Sequence, residues 1–185
     1  MEKSMVVRVS WRFASVLFLL VIGGCFCLAA PTFAADDQGV CSANSESRQM
    51  DFWLGDWIVM YPGMPGSANS KVYLELGKCL VVESWDGGKG HKGENMLAYS
   101  SDDKSWHGMF ADNQGRVHVF DGKVSNGTAE FTGPSRGPNG EAVLNRIKVV
   151  RVGADKVEQS WEKSTDHGAT WKTELLGEYS RKKAS

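Results

Sequence analysis

Chemistry-bearing motifs are scarce in this chain. It holds four cysteines and four histidines in 185 residues. No cysteine pair is spaced as CxxC, which excludes a thioredoxin-type redox centre and a zinc knuckle. There is no HExxH and no histidine pair with a carboxylate at ligand spacing on one element, so no resident metal or other cofactor is expected. Residues 86–93 are rich in glycine but lack GxxxxGK[ST] and open no helix. They form a connection and not a phosphate loop, with Lys89 and Lys92 either solvated or meeting an anion. Neither sign of charge is in excess, the formal net charge being −1, so composition gives no reason to expect a nucleic acid or an anionic membrane as partner. No window sustains a helical period, which excludes a parallel α/β sheet.

One apolar run is present. Lys3, Arg8 and Arg12 precede the stretch 13–30, and Thr32-Phe-Ala34 offers small residues where a signal peptidase cuts. This is the pattern of an export leader, residues 1–34, too short and wrongly flanked for a membrane span. The alternative is a lipoprotein anchored at Cys25, where Ile22-Gly-Gly-Cys25 is similar to a lipobox. Of the 21 basic and 22 acidic residues, three and one leave with the leader, so 18 and 21 remain. Cys25 and Cys27 leave too. Cys41 and Cys79 remain as an even pair in an exported chain, the condition under which a disulfide forms and persists. The mature protein is expected in the periplasm or secreted, with no integral membrane domain.

After a polar arm (35–52), the sequence reads as short strands with turn residues between them, near 53–61, 70–77, 78–86, 94–100, 104–111, 116–121, 123–125, 128–132, 142–152, 156–163 and 170–181. Pro62-Gly-Met-Pro-Gly66 ends the first, Asn126-Gly127 predicts a type I′ hairpin, and 133–140 is a longer loop. Consecutive strands joined by tight turns predict an all-β, antiparallel up-and-down meander, and closure into a barrel of roughly ten strands removes its exposed edges.

The period of two sorts the side chains. In the last strand Trp171, Thr173, Leu175, Gly177, Tyr179 and Arg181 share the inner face. If Ala111 pairs with Arg116, then Trp106, Gly108, Phe110, Val117 and Val119 face inward, while His107 and His118 lie together on the solvent side. Val143, Asn145, Ile147 and Val149 align, as do Val157, Gln159 and Trp161; in the third strand Val81, Glu83 and Trp85 compete with Leu80, Val82 and Ser84. These choices gather Trp85, Trp106 and Trp161 with Glu83, Asn145 and Gln159. An apolar wall carrying a few fixed polar groups is what a small-molecule site requires. The other reading of the same residues is core filler around buried water.

Two further constellations are structural. Ser164-Thr-Asp-His-Gly-Ala-Thr-Trp171 matches SxDxGxTW, the Asp-box hairpin: Asp166 accepts from turn amides, Gly168 takes positive φ and Trp171 packs beneath. Sialidase propellers repeat this box in much longer chains; a single copy here is a hairpin staple. Gly55-x-Trp57 puts a flat ring on the first strand, two residues past a glycine that admits another backbone. Arg181 either lies over that indole or is an ordinary solvated chain-end arginine.

Cys41, DFWLGDW (51–57), GKCLVVESW (77–85), KSW (104–106), EQSWEKSTDHGATW (158–171) and GEYSRK (177–182), in that order, resemble a family of small exported bacterial proteins of unknown function. The family is similar to lipocalin (calycin) barrels and, more distantly, to nitrobindin-type haem barrels. His167 falls in the Asp-box turn, so no haem ligand carries over. The resemblance implies a barrel domain over 53–185 and export. The functional expectation is capture of a small, largely apolar ligand. The alternatives are a structural or interaction module with a filled core, or a small barrel enzyme using Glu83 as acid or base.

Overall fold

The computed structural model describes residues 39–183. The expected leader and the cysteine of the lipobox lie outside the described residues. Ten antiparallel strands follow three single-turn 3-10 segments: β1 Gly55–Met60, β2 Ser67–Glu75, β3 Leu80–Asp86, β4 Lys92–Ser100, β5 Ser105–Asp112, β6 Val117–Ser125, β7 Thr128–Arg136, β8 Ala142–Gly153, β9 Lys156–Ser164 and β10 Lys172–Arg181. Each pairs with its neighbours in sequence, and β1 pairs with β10, so the meander closes on itself. Closure leaves no unpaired edge, and a barrel of this size has room inside for one small guest. This is the architecture of the lipocalin-like barrels, as expected. No helix among the described residues is long and apolar enough to cross a membrane.

Boundaries differ from expectation in local ways. The two short strands expected at 116–121 and 123–125 are one, because β6 runs through Gly122. Trp53 belongs to the 3-10 turn Asp51–Trp53 and not to the first strand. The strand β7 extends to Arg136, which shortens the expected loop to 137–141. Asn126 (φ 50°) and Gly127 (φ 74°) form the expected two-residue turn with both φ positive, which suits the twist of the flanking strands.

The seam between β1 and β10 is built by two residues. Trp57 pairs with Arg181, and the guanidinium lies 4.3 Å from the ring centroid while its Nη1 donates to Leu54 O at 2.9 Å. Contacts of this kind contribute about 1 kcal/mol. Gly55 has φ +130°, and a Cβ there would stand 2.2 Å from Arg181 Nη1. The glycine thus permits both the backbone turn and the close approach.

The arm closes one end of the barrel. Cys41 and Cys79 are bridged, with Cα atoms 5.0 Å apart at a sequence separation of 38. Cys79 lies in the turn before β3. Closing a loop of that length contributes about 4 kcal/mol in the chain-entropy account. Met50 and Trp53 are fully buried among Trp57, Trp106, Phe120, Phe131, Val149 and Tyr179. The indole of Trp57 donates to Trp53 O at 2.9 Å, and that of Trp106 to Gln49 Oε1 at 3.1 Å. Side chains from the arm therefore complete the core at this end.

Candidate functional site

The other half of the barrel is hollow. A cavity of about 770 Å³ lies towards the end where the connections 61–66, 87–91, 113–116, 137–141 and 165–171 gather. That volume is typical of sites for drug-sized molecules. Position along each strand decides which side chains meet it. On β8, Val143, Asn145 and Ile147 line the cavity and Val149 belongs to the core; on β9, Trp161 and Gln159 line it and Val157 does not; on β3 the same division falls between Glu83 and Val81.

Of the six residues grouped from the sequence, Glu83, Trp85, Asn145, Gln159 and Trp161 line this cavity. Trp106 does not. It faces inward as expected, but near the start of β5, at the end filled by the arm, where its ring is buried in the core. Facing inward fixes a radial position and leaves depth along the barrel open.

Glu83 is buried to 1% exposure. Its Oε1 accepts from Ser70 Oγ at 2.7 Å and from Tyr179 Oη at 2.8 Å, and its Oε2 accepts from Asn95 Nδ2 at 2.5 Å. Tyr179 Oη also lies 3.0 Å from Gln159 Oε1. The third strand is thereby decided in favour of Val81, Glu83 and Trp85. Burial raises the Glu83 pKa, against the pull of the hydrogen bonds from Ser70, Asn95 and Tyr179 and of the Gln159 amide beyond them. Tyr61, also on the cavity wall, is pushed up to about 12 by burial, with the Trp85 hydrogen bond opposing and Glu83 adding to the rise.

The walls are aromatic and their donors are already engaged. Trp85 Nε1 donates to Tyr61 Oη at 2.8 Å, and Trp161 Nε1 donates to Asn145 Oδ1 at 2.9 Å. Asn145 in turn donates to Ser135 Oγ. Trp161 is fixed further by edge contacts with Phe110, His118 and Phe120 at centroid distances of 5.4, 4.9 and 5.7 Å. Rings held this way present apolar surface with little freedom left to lose.

His118 is the largest correction. It was expected on the solvent face beside His107, and Val117 and Val119 inside; the structure reverses all three. Ala111 pairs with Val117, and Phe110 with His118, while Val117 and Val119 are 59% and 61% exposed. The cause is the turn. Asp112 N donates to Arg116 O at 3.0 Å and Gly115 N to Asp112 O at 3.1 Å, with Gly115 at φ 82°. This is a three-residue connection with its last residue left-handed, and the expectation had counted four. A slip of one residue moves every side chain of a strand to the other face. Burial first, then Arg116 and Lys163, lowers the His118 pKa. Its Nδ1 is buried without a hydrogen-bond partner, which favours the neutral ring with its proton on Nε2.

His107 stays outside in a cluster with the contacts of a hydrolase triad but not its chemistry. Ser105 Oγ lies 3.0 Å from Nε2, and Nδ1 is 2.7 Å from Asp121 Oδ1. Asp103 Oδ2, however, sits 2.8 Å from the same Nε2. Asp121 and then Asp103 raise the pKa of this ring. A carboxylate on each nitrogen favours the protonated ring, and Ser105 Oγ donates to Asp103 Oδ1 at 2.8 Å, so the serine proton is not presented to the imidazole as in a triad. Among the described residues, no group of three His, Cys, Asp or Glu side chains is placed to hold a metal ion. Lys92 pairs with Asp86 at 3.3 Å.

The Asp-box hairpin joins β9 to β10 as a staple. Asp166 Oδ1 accepts from Ser164 Oγ (2.7 Å) and Thr170 N (2.9 Å), and Oδ2 from Thr170 Oγ1 (2.6 Å). Gly168 takes φ +89°. Trp171 and Thr173 were expected inside. Instead Thr173 is exposed and pairs with Glu162, because the register shifts between Thr173 and Leu175. The extra residue, Glu174, reverses the alternation. Trp171 lies under the guanidinium of Arg146, 4.0 Å from its centroid.

Searches with this chain find no matching family model and no similar protein among the curated ones. The lipocalin-like description accordingly rests on strand order and closure.

Proposed function

We propose that this protein is an exported barrel that captures a small molecule with a largely apolar body. One observation carries the reading: a cavity of about 770 Å³ walled by Trp85, Phe110 and Trp161, with Glu83, Asn95 and Gln159 as its innermost polar groups. Apolar walls supply affinity, and a few fixed polar groups orient the guest. The export pattern at the start of the chain and the bridge between Cys41 and Cys79 support action in an oxidising compartment. The sequence-stretch resemblance to small exported bacterial proteins agrees with this placement.

The test fills the cavity without removing a hydrogen bond. Val143, on β8, has an apolar side chain facing the hollow. In Val143→Trp, uptake of the apolar fluorophore N-phenyl-1-naphthylamine, followed by energy transfer from tryptophan, is expected to weaken at least tenfold with far-UV circular dichroism unchanged. Equal uptake by the two proteins would place the fluorophore elsewhere and count against the cavity.

A further inference from the structure

Among the inner polar groups of the cavity is a buried carboxyl, Glu83, with no cation beside it. Glu83 receives bonds from Ser70 on β2, Asn95 on β4 and Tyr179 on β10, all from neutral donors. Gln159 on β9 completes the set through Tyr179. The titratable groups facing it are the phenols of Tyr179 and Tyr61, and among the described residues no lysine, arginine or histidine forms an ion pair with it. Two oxygens offer about four acceptor positions. Oε1 uses two and Oε2 one, which leaves one position on Oε2.

The rest of the cavity carries no comparable imbalance. Near the mouth, Arg116 is paired with Asp112 and Lys163 lies 3.8 Å from Glu174. Arg136 and Glu141, the remaining charged residues on the lining, are of opposite sign. Charge is matched at the rim and unmatched only at Glu83. The indole N–H groups of Trp85 and Trp161 already donate into the wall, so these rings offer the cavity carbon surface and π-density, which attract a cation.

We propose that the occupant is an organic cation, a protonated amine on a flat apolar body, with its ammonium at the open position of Glu83 and its body among Trp85, Phe110 and Trp161. This rests on the cavity being a binding site. A buried carboxylate lacking a counter-charge is costly, and an ammonium supplies both the charge and the missing donor. The raised Glu83 pKa adds a linkage. At low pH the carboxyl is neutral and offers the ammonium little, and as pH rises through its folded value the anion forms and the amine binds more tightly.

Calorimetric titration of the exported chain with 2-naphthylmethylamine, 2-naphthalenemethanol and 2-naphthoic acid, which share one apolar body, tests this. The amine is expected to bind at least tenfold more tightly than the alcohol at pH 8. Glu83→Gln is expected to bring that ratio to within about threefold. In the unmutated protein, which needs no variant to fold, amine affinity is expected to rise between pH 4.5 and 8 while alcohol affinity does not. Alcohol or acid binding as tightly as the amine, or an amine affinity flat across that range, overturns the cation while leaving the cavity a binding site. No binding by any of the three counts against the cavity reading itself, and the cation falls with it.

Discussion

At the scale of single residues, Glu83 carries the most consequence. Its burial was open in the sequence, where either alternate set of the third strand could face inward. The structure turns it in and surrounds it with neutral donors. Because burial raises its folded pKa above the unfolded value, its contribution to stability is complete below the ordinary glutamate range and is lost as pH rises through the folded pKa. Asp103 and Asp166 have the opposite sign. Asp103 is held at about 2, chiefly by Ser105, and Asp166 well below its usual range, chiefly by Thr170; both favour the fold at higher pH. Comparing unmutated protein with Glu83→Gln removes those shared terms. Urea unfolding from pH 4 to 8 is expected to show the unmutated barrel losing stability relative to the variant as pH rises. A constant difference across that range would mean that Glu83 titrates alike folded and unfolded.

At the scale of elements, the period of two was legible on β8 and β9, where Val143, Asn145, Ile147, Gln159 and Trp161 point as expected. It failed where the count changes. A three-residue turn at 113–115 placed His118 inside, and the signal was available: Asn-Gln-Gly ends in the residue type that such turns put in the left-handed position. The irregularity between Thr173 and Leu175 left no such sign, since no Gly or Pro marks it. The Asp-box hairpin was readable because its role is local, each bond spanning two or four residues. Asp166→Ala is expected to lower Tm by a few degrees and to speed amide hydrogen exchange at Gly168 and Thr170, leaving the turn at Asn126 and Gly127 unaffected. Unchanged exchange at Thr170 would show that strand pairing alone holds the hairpin.

At the scale of the whole molecule, the sequence left open whether the indoles line a pocket or fill a core. The structure answers with both, divided by depth. Trp53, Trp57 and Trp106 belong to the filled end under the arm, and Trp85 and Trp161 to the hollow end. Alternation within a strand reports which way a side chain turns, not how far along the barrel it sits. That second coordinate depends on strand stagger around a closed sheet and on an arm whose docking has no short-range signal. The bridge from Cys41 to Cys79 was the one long-range constraint that composition suggested, and it ties the arm to the end it fills.

The hollow end as a container for a guest is tested most directly by native mass spectrometry of the protein recovered from the cells that make it. The expected result is a mass above that of the polypeptide alone, the excess retained under gentle ionisation, released on activation, and missing from Val143→Trp prepared alongside. The bare chain mass in both preparations, or an adduct retained equally by Val143→Trp, would contradict it.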